Sequence, residues 1–188
     1  MDHVSLISLT EAHVRHVLGS AEAGHNWWHA ERVRRNAIAI HAAEGGLREV
    51  IELAALLHDI ADHKFYGGDE AIGPATANQW LLNNGAAPDL ASSVAEVIRG
   101  INYKGPKESE RAFSLEHAVV QDADRLDAIG AIGIARTFAF GGYFKRQFFD
   151  PGNLPNLEMD AKQYRHSEST TINHFFEKSF SSFFVRRK

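Results

Sequence analysis

The stretch ELAALLHDIADHKF, residues 52–65, places several titratable residues at the end of the most hydrophobic helix predicted in the chain. From Ile51 onward this helix is apolar on nearly all sides, which predicts a central, buried position. His58 and Asp59 follow the apolar run directly. Burying an imidazole beside a carboxylate costs free energy unless the two groups are paired or bind a cation. The stretch therefore favours a metal site over the alternative, a surface turn.

The rest of the chain is divided into further helices by capping residues and glycines. Helices are predicted over residues 8–19, 26–44, 47–61, 69–85, 88–101, 114–130 and 131–142, with a C-terminal helix over about 160–186. Pro74 predicts a kink or a split in the fourth of these. Residues 148–163 hold two of the five prolines and read as a loop. Strict alternation of apolar and polar residues is missing, so we expect an all-α fold.

Length and composition narrow the class of protein. A chain of 188 residues favours one domain, which we place over 1–188. The absence of cysteine excludes disulfides and thiolate catalysis, so a metal would be held by nitrogen and oxygen ligands. The net charge of −4 disfavours a nucleic-acid partner, although local basic residues could bind a small phosphorylated molecule.

The chain gives no sign of a membrane or secretory segment. Its first residues lack a basic region before an apolar run, and the small apolar stretch 128–135 is too short to span a bilayer. We expect a soluble, cytoplasmic protein.

Two ligands do not complete a metal site, and other helices offer the remaining ones. His29 lies on an amphipathic helix beside apolar neighbours. Asp124 lies in an apolar helix that also carries Asp122 and Asp127. The candidate ligands are thus spread over three helices that a bundle could bring together.

The order His29, His58-Asp59, Asp124 resembles the H…HD…D signature of the HD-domain phosphohydrolases. The sequence segments around these residues also match that family, namely HAERV, ALLHDIADHKF and DADRLDAIGAIGIARTFAFGG. The resemblance covers roughly residues 22–178, with the motifs themselves within about 22–140. The nearest look-alikes are bacterial single-domain HD hydrolases, some of them similar to nucleotide pyrophosphohydrolases.

This resemblance implies a helical bundle around one divalent metal ion held by His29, His58, Asp59 and Asp124. Two imidazoles and two carboxylates suit manganese, magnesium, iron, cobalt or nickel. The implied reaction is hydrolysis of nucleoside or deoxynucleoside triphosphates to monophosphate and pyrophosphate. A monophosphatase, a phosphodiesterase, a di-iron enzyme and a non-catalytic metal- and nucleotide-binding sensor stay open as alternatives.

Further roles are carried over from the resemblance. Asp62, one helical turn after Asp59, is the candidate catalytic residue that positions or deprotonates water or protonates the leaving group. Its alternative is a solvent-exposed carboxylate at a helix end. Lys64 and Lys104 are candidates for binding substrate phosphate, and each could equally be a surface lysine.

Other residues surround these candidates without an assigned ligand role. Asp127 is expected either to hydrogen-bond a metal-binding histidine or to pair with Arg125 or Arg136. His25 is a supporting candidate, and it is followed by Asn26 where look-alikes commonly carry aspartate. Asp122 is the weaker rival of Asp124. Trp27 and Trp28 favour core packing over stacking on a base.

The last ten residues, SFSSFFVRRK, differ from the look-alikes. They suggest truncation or an altered reading frame, with apolar surface that favours association. The alternative is a short terminal helix packed on a partner subunit, and a homodimer therefore stays open.

Overall fold

Every regular element in the described part of the chain is a helix. The computed structural model describes residues 3–19, 26–61, 69–101 and 113–180. The helices are α1 (His3–Leu18), α2 (Trp27–Glu44), α3 (Arg48–Leu57), α4 (Ile72–Asn83), α5 (Pro88–Ile101), α6 (Leu115–Asp127), α7 (Gly130–Tyr143), α8 (Ala161–Arg165) and α9 (Thr171–His174), which a π-helical segment (Phe175–Phe180) continues. The predicted all-α class is confirmed. Within these ranges, no helix combines the length and the apolar character needed to cross a membrane.

The chain forms two compact units. The first unit comprises Met1–Asn102 and Ala112–Asp124, and the second comprises Tyr103–Arg111 and Arg125–Lys188. All four candidate ligands belong to the first unit. The single domain over 1–188 stays a prediction.

Helix α3 lies in the core of the first unit. All its residues from Val50 to Leu57 are buried, including Glu52, and the helix contacts α1, α2 and α5. Each buried leucine or isoleucine contributes roughly 1.5–3 kcal/mol relative to an exposed one. The helix ends at Leu57, four residues earlier than predicted, because the chain turns and Ile60 N donates to Leu57 O at 3.1 Å. This turn carries His58 and Asp59.

Two helices lie beside α3, one antiparallel and one parallel to it. Helix α2 is antiparallel to α3, since its start lies at the end of α3 and Arg34, further along α2, binds Glu52. Helix α6 runs alongside α3 in the same direction: Glu116 accepts a hydrogen bond from Leu47 N at 2.9 Å, before the start of α3, and Asp124 reaches its far end. The ends of three helices therefore meet beyond Leu57.

A glycine allows α5 and α6 to approach closely in the same unit. A Cβ atom on Gly100 would lie 2.6 Å from His117 Nε2 and 2.7 Å from Phe113 Cε1. The His117 ring is buried and stacks on Phe113, with ring centroids 4.4 Å apart. His117 is thus a packing ring between these helices.

Two helix predictions need correction. Pro74 does not split α4, because it falls in the first turn, where a missing N–H costs no helical hydrogen bond. The continuous helix over about 160–186 is wrong in the second unit, where residues 166–170 separate α8 from α9. Short hydroxyl side chains favour local bonds over helix here. Ser167 Oγ donates to Tyr164 O, and Thr170 Oγ1 accepts from Asn173 N to cap α9.

Candidate metal centre

The first turn of α2 positions His29. Asn26 is the N-cap, and its side-chain oxygen accepts hydrogen bonds from Trp28 N at 3.1 Å and His29 N at 3.4 Å. His29 is therefore the third residue of the helix. Its imidazole is only 2 % exposed, so the start of α2 directs it into the interior.

His58 is oriented by the last turn of α3. Its Nδ1 lies 2.8 Å from Ala55 O, so Nδ1–H donates to that carbonyl. In the neutral ring, this bond leaves the lone pair on Nε2. A histidine held in this way presents Nε2 as a ligand atom, which is the usual arrangement around protein-bound metals.

Nitrogen and oxygen atoms of three side chains converge beyond α3. His58 Nε2 lies 3.1 Å from His29 Nε2. Asp59 Oδ2 lies 3.3 Å from His29 Nε2 and 3.5 Å from His58 Nε2. One ligand atom from each of the three residues falls within 4.8 Å of the others. The side chains of His58 and Asp59, although these residues are adjacent in the sequence, therefore converge on one centre.

Asp124 adds a fourth group from α6. Its Oδ1 lies 3.3 Å from His29 Nε2 and 3.9 Å from His58 Nε2. Burial alone would raise the pKa of Asp124, but the hydrogen bond with His29 and the charges of both histidines hold it well below its usual value. Asp124 is therefore a carboxylate at neutral pH.

This arrangement fits a divalent cation. Two carboxylates repel each other when they approach, and two imidazole nitrogens 3.1 Å apart require a proton or a cation between them. A cation among these atoms relieves both conflicts. Mixed imidazole and carboxylate ligands are typical of manganese, iron, cobalt, nickel and related ions.

Four of the predicted site residues, Asp62, Lys64, Lys104 and His25, lie outside the described residues, as does most of the atypical C-terminal stretch. Their roles stay predictions.

Asp127 follows one of its two predicted alternatives. Its Oδ2 lies 3.0 Å from Arg136 Nη1, and both residues belong to the second unit. The carboxylate thus takes part in an ion pair between the end of α6 and α7.

The two tryptophans at the start of α2 differ in environment. Trp27 is 5 % exposed and packs in the core, with the Arg15 guanidinium 4.5 Å from its ring centre. Trp28 is 62 % exposed. Core packing is the correct interpretation for the first ring, whereas the second is open to solvent.

Two orienting groups were not identified from the sequence. In the sequence Asn26 stands out as a departure from the look-alikes, and asparagine directly before an amphipathic run is also a recognised helix-start signal. The Ala55 carbonyl has no sequence signal, since any residue type presents the same oxygen three positions before a helix end.

Comparison with known proteins identifies the family. The model of the HD domain matches residues 26–129, which is more than half of the chain and includes all four candidate ligands. The chain belongs to the HD-domain family. The resemblance inferred from the motifs is confirmed, and solved structures similar to this chain include HD-superfamily hydrolases.

Bacterial relatives share both sequence and fold. YpgQ of Bacillus subtilis is 35 % identical over 130 residues, which is 69 % of this chain and 63 % of YpgQ, so the match spans less than two thirds of that relative. A structure from Lactobacillus plantarum is 32 % identical with a TM-score of 0.84, covering 97 % of this chain and 84 % of that one. An HD-superfamily hydrolase from Bacillus thuringiensis is 34 % identical with a TM-score of 0.68, covering 100 % and 86 %.

One structural relative holds a nucleotide. YpgQ in complex with ADP is 30 % identical with a TM-score of 0.69, covering 95 % of this chain and 79 % of YpgQ.

Proposed function

We propose that this protein hydrolyses nucleoside or deoxynucleoside triphosphates to monophosphate and pyrophosphate with one divalent metal ion. The observation that carries the proposal is the convergence of His29, His58, Asp59 and Asp124 in the first unit. Membership of a phosphohydrolase family gives that cluster its chemistry.

The four side chains would hold the ion, with manganese, magnesium, iron, cobalt and nickel as the candidates. When bound, such an ion polarises a phosphoryl oxygen and lowers the pKa of coordinated water. The chain's own contribution is orientation. Ala55 O fixes the His58 ring, and the first turn of α2 fixes His29.

Proton transfer falls to Asp62 in this proposal, and phosphate binding to Lys64 and Lys104. Asp62 follows the ligand Asp59 by three residues, so it would deliver or accept a proton close to the reacting water. The lysines would neutralise part of the triphosphate charge. These assignments rest on the family motif.

A nucleotide substrate is supported by the ADP complex of YpgQ, a relative of the same fold. ADP contains both a base and a phosphoanhydride, the two parts that a nucleoside triphosphate substrate would also present. Cytoplasmic location, a homodimer and the lack of nucleic-acid or membrane partners stay predictions.

The test is product analysis with manganese. The purified chain would be incubated with panels of nucleoside triphosphates, deoxynucleoside triphosphates and monophosphates, with phosphate and pyrophosphate assayed separately. Asp59→Ala removes a candidate ligand, and Asp89→Ala, an exposed carboxylate on α5, is the matched control.

We expect pyrophosphate from triphosphates with the natural chain and with Asp89→Ala, and none with Asp59→Ala. Phosphate released from monophosphates would replace the proposal with a nucleotidase. Stoichiometric metal binding without any hydrolysis would replace it with a sensor.

A further inference from the structure

Asn26 closes the first turn of α2 with both its side chain and its backbone. Its backbone is extended, with φ −94° and ψ 178°. Its side-chain oxygen accepts from Trp28 N and His29 N, and its carbonyl accepts from His29 N at 3.0 Å and Ala30 N at 3.4 Å. The amide of His29 therefore bonds to Asn26 in two ways.

This turn determines where the His29 imidazole lies. The first four N–H groups of a helix have no partner within the helix, and a terminal turn frays unless a cap satisfies them. His29 is the third residue of α2, within that turn. Fraying would displace an imidazole whose Nε2 lies 3.1–3.3 Å from three other groups of the cluster.

The two histidines of the cluster are held by different means. His58 follows the buried helix α3, and its ring is fixed directly by Ala55 O. The His29 backbone is fixed by a cap that is itself more accessible to solvent. The first turn of α2 is thus the more easily disturbed of the two supports.

We propose that Asn26 is a positioning residue for the metal centre: its cap fixes the His29 imidazole at the distance that the metal requires. This proposal rests on the proposed metal site. It assigns to Asn26 an effect on metal affinity that a helix cap elsewhere in the chain does not have.

The experiment compares three variants of the full chain. Asn26→Ala removes the capping oxygen, and Asn26→Ser restores a capping oxygen of similar strength. Thr170→Ala removes the cap of α9 in the second unit and is the matched control. Three quantities are measured for each: Mn²⁺ affinity by titration, thermal stability, and hydrogen exchange of the Trp28 and His29 amides in metal-free protein.

We expect Asn26→Ala to weaken Mn²⁺ binding on the order of five- to tenfold and to speed exchange of both amides. Asn26→Ser should return both towards the natural values. Thr170→Ala should lower thermal stability and leave Mn²⁺ affinity unchanged.

Two results would overturn the positioning role while the metal site stands. One is natural Mn²⁺ affinity in Asn26→Ala despite faster exchange. The other is an equal loss of affinity in Thr170→Ala, which would show that general destabilisation is the cause. If the natural chain itself binds neither Mn²⁺ nor any of the other candidate ions, the proposed metal site is wrong and the positioning role falls with it.

Discussion

Two polar clusters connect α2 to α3, and they differ in the nitrogen group that each uses. In the first, Arg34 Nη2 lies 2.6 Å from Glu52 Oε1 in the interior, and Arg34 also contacts Glu11 and Glu31. In the second, the imidazole of His29 meets the groups that follow α3. The first cluster joins guanidinium to carboxylate, and the second joins imidazole to carboxylate.

This difference separates stability from function. Burial alone would lower the pKa of Arg34, but the hydrogen bond and charge of Glu52, with Glu31 and Glu11, raise it, so its charge is permanent. A guanidinium donates in a fixed geometry and satisfies its carboxylates directly. An imidazole offers a lone pair that a metal can use. We therefore expect damage to the arginine cluster to cost stability, and damage to the histidine cluster to cost metal binding.

The largest expected effect is loss of metal from His58→Ala. Even residues that only orient a metal ligand cost 10–100-fold in affinity when replaced, so removing a ligand should weaken Mn²⁺ binding by more than about 100-fold. Hydrolysis should fall to background. Elemental analysis and Mn²⁺ titration measure the first effect, and product release measures the second.

His13→Ala is the control for that variant. His13 lies on α1 in the same unit, with its ring stacked on Trp80 at 4.7 Å between centroids. It should retain metal and activity. Full metal content in His58→Ala would show that His58 is not a metal ligand. It would also contradict the expected difference between the two clusters.

Glu52→Ala should produce the opposite pattern. It removes a carboxylate that is 3 % exposed and leaves the half-buried Arg34 without its closest partner. Breaking a buried ion pair from one side costs about 3 kcal/mol or somewhat more. Urea unfolding should show this loss. The Mn²⁺ affinity of the folded protein should stay within about threefold of the natural value, which is roughly 0.7 kcal/mol of binding free energy.

Glu44→Ala, an exposed glutamate at the end of α2, should change neither quantity. A large drop in Mn²⁺ affinity for Glu52→Ala, measured where the protein is folded, would show that the two clusters are one coupled network.

The same two clusters show what the sequence could and could not predict. The histidine cluster can be predicted because His58-Asp59 ends an apolar run and the other candidate ligands lie in recognisable sequence motifs. The arginine cluster cannot be predicted, because Glu52 in an apolar helix gives no indication of a partner 18 residues away in the sequence. That pairing depends on how α2 packs on α3, which is a tertiary property.

Helix boundaries show a similar division. The start of α5 at Pro88 agrees with the prediction, and the predicted start of α2 at residue 26 lies one residue before the observed start at Trp27. The end of α3 at Leu57 does not agree with the prediction, because the apolar pattern continues into the turn that carries His58 and Asp59. Hydrophobic periodicity records burial, and a buried turn has the same composition as a buried helix.

The smallest expected effect concerns Glu116. This residue of α6 contacts the start of α3, away from the histidine cluster. The hydrogen bond from Leu47 N lowers the pKa of Glu116 below its ordinary value of 4.5. Because the folded pKa is the lower one, the stabilisation is complete above about pH 4.5 and is lost as the pH falls through the folded pKa. Glu116→Gln keeps an acceptor oxygen without the charge. The free energy of unfolding of the natural chain should exceed that of Glu116→Gln by less than about 1 kcal/mol near neutral pH, since the group is only partly buried.

Urea unfolding of both chains in steps from neutral to acidic pH tests this point, because groups that titrate equally in the two chains cancel in the difference. The difference should shrink as the pH falls below about 4.5. A difference that stays constant over that range would mean that the carboxylate charge does not hold the start of α3. Glu116→Gln should not change Mn²⁺ affinity at neutral pH, since Glu116 and Asp124 contact opposite ends of α3. A shift in affinity would therefore reveal that the position of α6, and not only Asp124 itself, sets the geometry of the cluster.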